Sequence, residues 1–272
     1  MKTNRQTLSL LCLLLSMLPI NDISSLQNKE PFPLNMSEDS VDDMYSTCEE
    51  EMEKTVKETY FKKEMSNGLF KRAWNSATKC TKRNLQSKDK EDEALTENHL
   101  RAICIYTDGA TGLYVKFNKA VRTGRKDYGS SFQFHFLHFW LTRAVQILSG
   151  NENCHKTYRR TKSTFSGEVN KEVRFGTFTS TSKLTNLTHF GEKTCFKITT
   201  CSGAFFKKYP VLQDKEQEVL IPPYEKFNIT KKCQDKDCKQ LENLPDCETV
   251  YVLESTGVQS NLDCQIAKHI II

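Results

Sequence analysis

The chain has 272 residues, 27% of them charged and 38% apolar, with a formal net charge of +5. That surplus is mild and gathers into no basic block or repeated aromatic-basic pattern, which argues against a nucleic-acid ligand. The length allows one sizeable domain or two small ones, and no internal repeat is visible.

The first residues read as a secretory signal. Lys2 and Arg5 lead an uncharged apolar run from Leu8 to Ile20, and the small residues Ser24 and Ser25 follow as cleavage positions. The run is short for a membrane span. Residues 1–25 are expected to be removed, which takes Lys2, Arg5 and Asp22 away and leaves a net charge of +4.

Residues 26–150 read as helical. Ser40-Val41-Asp42-Asp43 offers a cap and an acidic first turn to a charged run through Met65. The polar stretch Lys82–Asp92 follows, and Ala102–Thr107 is expected to be a short strand. Leu113, Phe117 and Ala120–Val121 recur at helical spacing. So, more cleanly, do Phe136, Leu137, Trp140, Leu141, Ala144, Val145 and Leu148, with Gly150 as the stop.

Residues 151–272 read as strands. The expected ones are Lys156–Thr161, Glu172–Ser180, Thr194–Cys201, Gln217–Ile221, Lys226–Lys231 and Thr249–Ser255. Helices followed by strands imply an α+β fold.

Losing Cys12 with the signal leaves ten cysteines, as suits an oxidising compartment. Cys104 and Cys195 lie in apolar runs and read as buried thiols. Cys233, Cys238 and Cys247 share one excursion, where a local bridge is expected between a pair the sequence does not identify. No Cys-x-x-Cys occurs, and His135 and His138 sit among aromatics that point to packing, so no metal site is expected. Sequons at Asn35, Asn186 and Asn228 fit the secretory route. The end, Ala267–Ile272, lacks the spacer and long apolar tail of a glycolipid anchor, so a released monomer is expected.

The most informative segment is Glu216-Gln217-Glu218-Val219-Leu220-Ile221-Pro222-Pro223. On a strand, Val219 and Ile221 point into a core, while Glu216, Glu218 and Leu220 share the other face with the carboxylates roughly 6–7 Å apart. Two fixed carboxylates suit chemistry at a cationic or oxocarbenium-like centre. Taken alone, such a pair is more often the solvated face of an edge strand.

Two further motifs decide between these. Tyr158-Arg159 lies on the first strand and Phe178-Thr179-Ser180-Thr181-Ser182 closes the second, with Arg174-Phe175-Gly176 before it. In this order the three motifs resemble the Arg, Ser and Glu-x-Glu signature of the vertebrate ecto-ADP-ribosyltransferases, arginine-specific enzymes related to cholera toxin. Val41–Tyr45, Leu137-His138-Phe139 and Asn261–Cys264 extend the resemblance over nearly the whole mature chain.

The resemblance implies a helical N-terminal subdomain packed on a two-sheet NAD-binding core, with NAD as co-substrate. It gives Arg159 an NAD phosphate, Ser180 the nicotinamide ribose and the Arg159 strand, and Glu218 the ribose hydroxyl and the developing oxocarbenium charge. Glu216 would receive the acceptor guanidinium, and Phe190, before Gly191, would pack on nicotinamide. It also pairs Cys48 with Cys264 and Cys154 with Cys201.

One departure stands out. The family carries glycine after its motif arginine, and here Arg160 stands there. Either Arg160 crowds the nicotinamide end, or strand alternation turns it outward, where its charge attracts the dinucleotide.

The implied activity is transfer of ADP-ribose from NAD to arginine side chains of extracellular proteins. On the same scaffold water can replace arginine, giving an NAD glycohydrolase. A binding glycoprotein with an inert site is the reading from another class.

Overall fold

The computed structural model describes residues 30–150 and 153–270, so the expected signal segment lies outside the described residues. After the short strand β1 (Phe32–Pro33), α1 (Glu49–Thr55) passes through one wide turn at Val56–Tyr60 into α2 (Phe61–Met65). Then come α3 (Gly68–Ser76), α4 (Thr78–Gln86), α5 (Glu97–Tyr106), α6 (Leu113–Thr123) and α7 (His135–Ser149). The stripe read from Phe136 to Leu148 is buried along α7, and Gly150 is its C-cap.

Two helical expectations change. Ser40–Asp43 does not open a helix but enters the interior, where both carboxylates meet the far end of the chain. Asp42 pairs with Arg174 at 2.6 Å, both fully buried, and accepts from the backbone N–H groups of Asn261 and Leu262. Asp43 accepts from Tyr128 Oη and from the N–H groups of Tyr45 and Cys264. Burial outweighs those bonds and lifts its carboxyl to about 6. A side chain that satisfies donors deep in the fold is not free to cap a helix.

Ala102–Thr107 is not a strand. Ala102–Tyr106 completes α5, which Thr96 and His99 start with a reciprocal capping box. The run is buried on every side, so it loses the alternation that separates helix from strand in sequence.

The second half holds β2 (His155–Thr161), β3 (Phe165–Ser166), β4 (Glu172–Arg174), β5 (Thr179–Ser182), β6 (Thr194–Thr200) and β7 (Ala204–Phe205). It continues through β8 (Glu218–Ile221), β9 (Glu225–Cys233), α8 (Lys236–Leu241), β10 (Thr249–Val258) and α9 (Gln265–Ile270). The expected strand Glu172–Ser180 is two strands. Gly176 breaks it at φ +64°, and a Cβ there would lie 2.4 Å from Ser37 Cβ.

The large sheet runs β4-β9-β10-β6-β2-β5-β8-β7, with only β10 and β6 parallel. Its seam falls between β2 and β5, which share a single backbone pair, Tyr158 with Ser182. The two-sheet core thus takes the form of two half-sheets joined there. Side chains splice the seam: Thr157 Oγ1 donates toward Thr181 Oγ1 (2.7 Å) and Ser182 O (2.8 Å), and Thr181 Oγ1 donates to Val219 O (2.7 Å).

Helices and half-sheets share their packing. Phe178, Ala204, Phe206 and Leu220 join the helical core, while Ile221 joins Phe196, Ile198 and Tyr251 beneath the other half. β8 is therefore buried on both faces, not on the Val219 and Ile221 face alone.

Five disulfides close the described chain. Cys48–Cys264 and Cys154–Cys201 form as the resemblance implies. Cys104 and Cys195 are not free thiols but pair with Cys80 and Cys247, leaving Cys233–Cys238 as the local bridge. His138 packs as expected, with Nδ1 2.7 Å from Tyr45 Oη and Nε2 3.1 Å from Val41 O. Burial lowers it to about 4 and His135 to about 3. Asn35 and Asn186 are exposed, whereas Asn228 is half-buried between β4 and β10.

Candidate active site

Three of the expected site residues come together at the seam between β2 and β5. Arg159, on β2, donates from Nη1 to Ser180 O at 2.6 Å, bridging strands whose backbones pair only at Tyr158 and Ser182. Its guanidinium is partly buried and its pKa is lowered by that desolvation, which Tyr106, Tyr114 and Glu218 oppose. Glu218 opens β8 and is 7% exposed. Burial raises its carboxyl to about 7; a hydrogen bond from Ser180 lowers it, nearby Glu216 raises it and Arg159 lowers it. A buried carboxylic acid poised near neutrality beside a fixed cation is a recurrent feature of functional sites.

Glu216 is close to Glu218 but not through strand alternation. Two successive turns, Pro210–Gln213 and Asp214–Gln217, each close with an N–H to carbonyl bond, at 2.9 and 3.0 Å. Each ends on a glutamine at positive φ, +60° for Gln213 and +41° for Gln217. The strand thus begins at Glu218, one residue later than expected, and Glu216 occupies the turn before it. Ser182 Oγ donates to Glu216 O at 2.6 Å and Lys183 N donates to Gln217 O at 3.1 Å. These bonds fix the loop's exit against β5. Left-handed backbone at a non-glycine residue costs about 1 kcal/mol or more, so tertiary contacts must hold it.

Phe190 ends a single 3₁₀ turn (Thr188–Phe190) between β5 and β6, 45% exposed, its ring 4.2 Å from His189. Gly191 follows at φ +126°, and a Cβ there would sit 2.4 Å from Thr161 C. Only glycine lets this turn lie against the end of β2, the strand bearing Arg159.

Arg160 faces away from Arg159. Its guanidinium meets Asp246 at 2.7 and 2.9 Å and donates from Nε to Thr185 O at 2.8 Å. It is neither crowding the cleft nor an exposed charge.

Sequence reasoning missed the helical contribution. Tyr106, the last residue of α5, donates from Oη to Phe178 O (2.8 Å), accepts from Asn118 Nδ2 (3.1 Å) and hydrogen-bonds Ser180. Burial pushes its phenol up to about 12. Tyr114, at the start of α6, is 40% exposed and near enough to Arg159 to act on its charge. A strand assignment for Ala102–Thr107 hid Tyr106, and no local pattern marks either tyrosine.

Residues 34–245 match the family described as NAD:arginine ADP-ribosyltransferase. The chain is 35% identical over 215 residues to human (Homo sapiens) ecto-ADP-ribosyltransferase 5, covering 75% of this chain and 73% of the relative. It is 36% identical over 208 residues to rat (Rattus norvegicus) T-cell ecto-ADP-ribosyltransferase 1, covering 72% and 71%. Superposition on the crystal structure of the eucaryotic mono-ADP-ribosyltransferase ART2.2 gives a TM-score of 0.72 at 30% identity, covering 86% of this chain and 99% of that one. The chain belongs to the NAD:arginine ADP-ribosyltransferase family, enzymes whose co-substrate is NAD.

Proposed function

We propose that this protein is a secreted mono-ADP-ribosyltransferase that moves ADP-ribose from NAD to arginine side chains of extracellular proteins. The observation that carries this reading is Glu218: a buried carboxyl held near neutrality beside the Arg159 guanidinium and the Ser180 hydroxyl. Arg159 binds an NAD phosphate by charge-assisted hydrogen bonds. Glu218 accepts the ribose hydroxyl and stabilises positive charge as the bond between C1′ and the nicotinamide nitrogen breaks, its electron pair leaving with nicotinamide. Ser180 holds Glu218 and the ribose, and Phe190 packs on nicotinamide. Glu216 orients the acceptor guanidinium, whose nitrogen bonds to C1′ and gives its proton to that carboxylate. Water in the acceptor's place yields free ADP-ribose.

The signal at residues 1–25, the sequons and five disulfides support an extracellular location. Among the described residues no helix is long and apolar enough to cross a membrane. Purified protein given labelled NAD and agmatine tests the reading. ADP-ribosyl-agmatine is the expected product. Free ADP-ribose alone would make the protein a hydrolase, and neither product would make the site inert.

A further inference from the structure

The loop that ends in Glu216 is bolted to α4 at its other end, and the bolts are side chains with no part in NAD chemistry. Asn84 Nδ2 donates to Tyr209 O at 2.7 Å and Arg83 Nη2 donates to Pro210 O at 2.7 Å. Arg83 also clasps Asn84 Oδ1 through Nε (3.1 Å) and Nη2 (3.0 Å), so the two side chains brace one another. Cys80, one turn earlier on α4, is tied to Cys104 of α5, which fixes the helix against the element that carries Tyr106. Tyr209 itself is fully buried, its Oη donating to Asp92 Oδ2 at 2.6 Å. On the next residues, Val211 N donates to Thr107 Oγ1 at 3.1 Å. Beyond Val211 the loop changes character: Leu212 to Lys215 are exposed, and Glu216 lies only six residues past the Pro210 anchor.

We infer that Arg83, braced by Asn84, is a positioning residue for the acceptor: it fixes the two-turn loop so that Glu216 presents its carboxylate to an incoming guanidinium. The inference rests on the reading of Glu216 as the acceptor's partner. Two constraints make the loop rigid. Its exit is held by Ser182 and Lys183, and its entry by α4. Releasing either end lets two turns with left-handed residues relax, and Glu216 moves with them. Glu218 moves less, because it is already paired in the sheet opposite Ser182. Loss of the anchor therefore separates transfer from hydrolysis.

The test compares Arg83→Met and Arg83→Lys with wild type on single preparations. Arg83 is partly exposed and methionine keeps its apolar stem, so the fold is spared. Expected in Arg83→Met is a ratio of agmatine transfer to NAD hydrolysis lowered about tenfold, mainly through the KM for agmatine, since small misplacements of reacting groups cost this much. The KM for NAD stays unchanged, and lysine restores part of the ratio. Amide hydrogen exchange should quicken at Gln213 and Gln217, whose N–H groups close the two turns. A proportional loss of both activities, an unchanged ratio or unchanged exchange would overturn the inference. Wild-type protein that hydrolyses NAD but modifies no guanidine would overturn the functional reading first, and this inference with it.

Discussion

Arg160 and Asp246 form a two-pronged ion pair, at 2.7 and 2.9 Å, on the side of β2 opposite Arg159. The guanidinium side chain is 5% exposed and that of Asp246 is 34% exposed; the hydrogen bonds from Arg160 hold the carboxyl below its usual range. Arg160 is thus a strut from β2 to the excursion that Cys195–Cys247 also secures.

Asp246→Asn should therefore cost stability and spare NAD binding. The pair reaches solvent on its Asp246 side and so is worth less than a fully buried one; a loss of about 1–2 kcal/mol is expected, or roughly 2–8 °C in Tm. Thermal melts and NAD titrations at low and high salt check this. A KM for NAD that shifts several-fold while Tm stays fixed would return Arg160 to the cleft.

Glu218→Gln should abolish transfer and hydrolysis together, by about 10²-fold or more, because charge stabilisation in the transition state is usually the largest single contribution. The neutral amide suits a buried position, so the melting temperature should hold or rise. Activity within tenfold of wild type in a stable variant would remove Glu218 from the chemistry.

In Glu216→Gln the two activities should part. Transfer to agmatine falls by about tenfold or more, since the amide no longer favours a guanidinium, while hydrolysis falls little because water needs no such partner. Equal losses would assign Glu216 to NAD binding or to the loop's structure.

The pH dependence has a definite sign. Glu218 acts as a carboxylate, so kcat/KM for NAD should climb as pH rises through about 7 and lose that limb in Glu218→Gln. Stability should run the other way above neutrality. Burial raises Glu64 to about 8, so its contribution is complete below the ordinary glutamate range and lost as pH rises through about 8. His135 and His99, both lowered to about 3 by burial, contribute above the ordinary histidine pKa and lose that contribution as pH falls. Melting temperature should thus peak near pH 6–7 and fall on either side. Glu64→Gln keeps an acceptor for the Phe136 N–H, which Glu64 binds at 2.6 Å. It should flatten the alkaline slope, and an unchanged slope would show that Glu64 does not titrate there.

The positions of Arg159, Ser180 and Glu218 are legible because each sits in a short motif on a strand, where spacing alone fixes much of the geometry. Tyr106 was not, since it reaches Phe178 across 72 residues from a helix end that sequence read as a strand. The partner of Arg160 was hidden for the same reason, 86 residues away in an excursion without periodicity. Strand alternation gave Arg160 the right direction but not the salt bridge that removes its charge from solvent. Glu216 failed by one backbone angle: a positive φ at Gln217 is invisible when the residue is not glycine. Asp42 and Asp43 looked like a helix start because an acidic pair after serine offers the same local chemistry whether it caps a helix or plunges into a core.

Those two aspartates also set a timetable. Their N–H donors at Asn261, Leu262 and Cys264 lie 219 to 221 residues downstream, and Cys48 waits for Cys264 across 216. At ordinary translation speeds that interval lasts roughly 10–40 s. Through it neither aspartate can complete its native set of bonds, although Tyr128 and Arg174 emerge earlier, and Cys48 is a loose thiol among others. The emerging polypeptide is thus exposed to mispairing for most of its synthesis, and the last ten residues of the described chain act as the latch that ends that exposure.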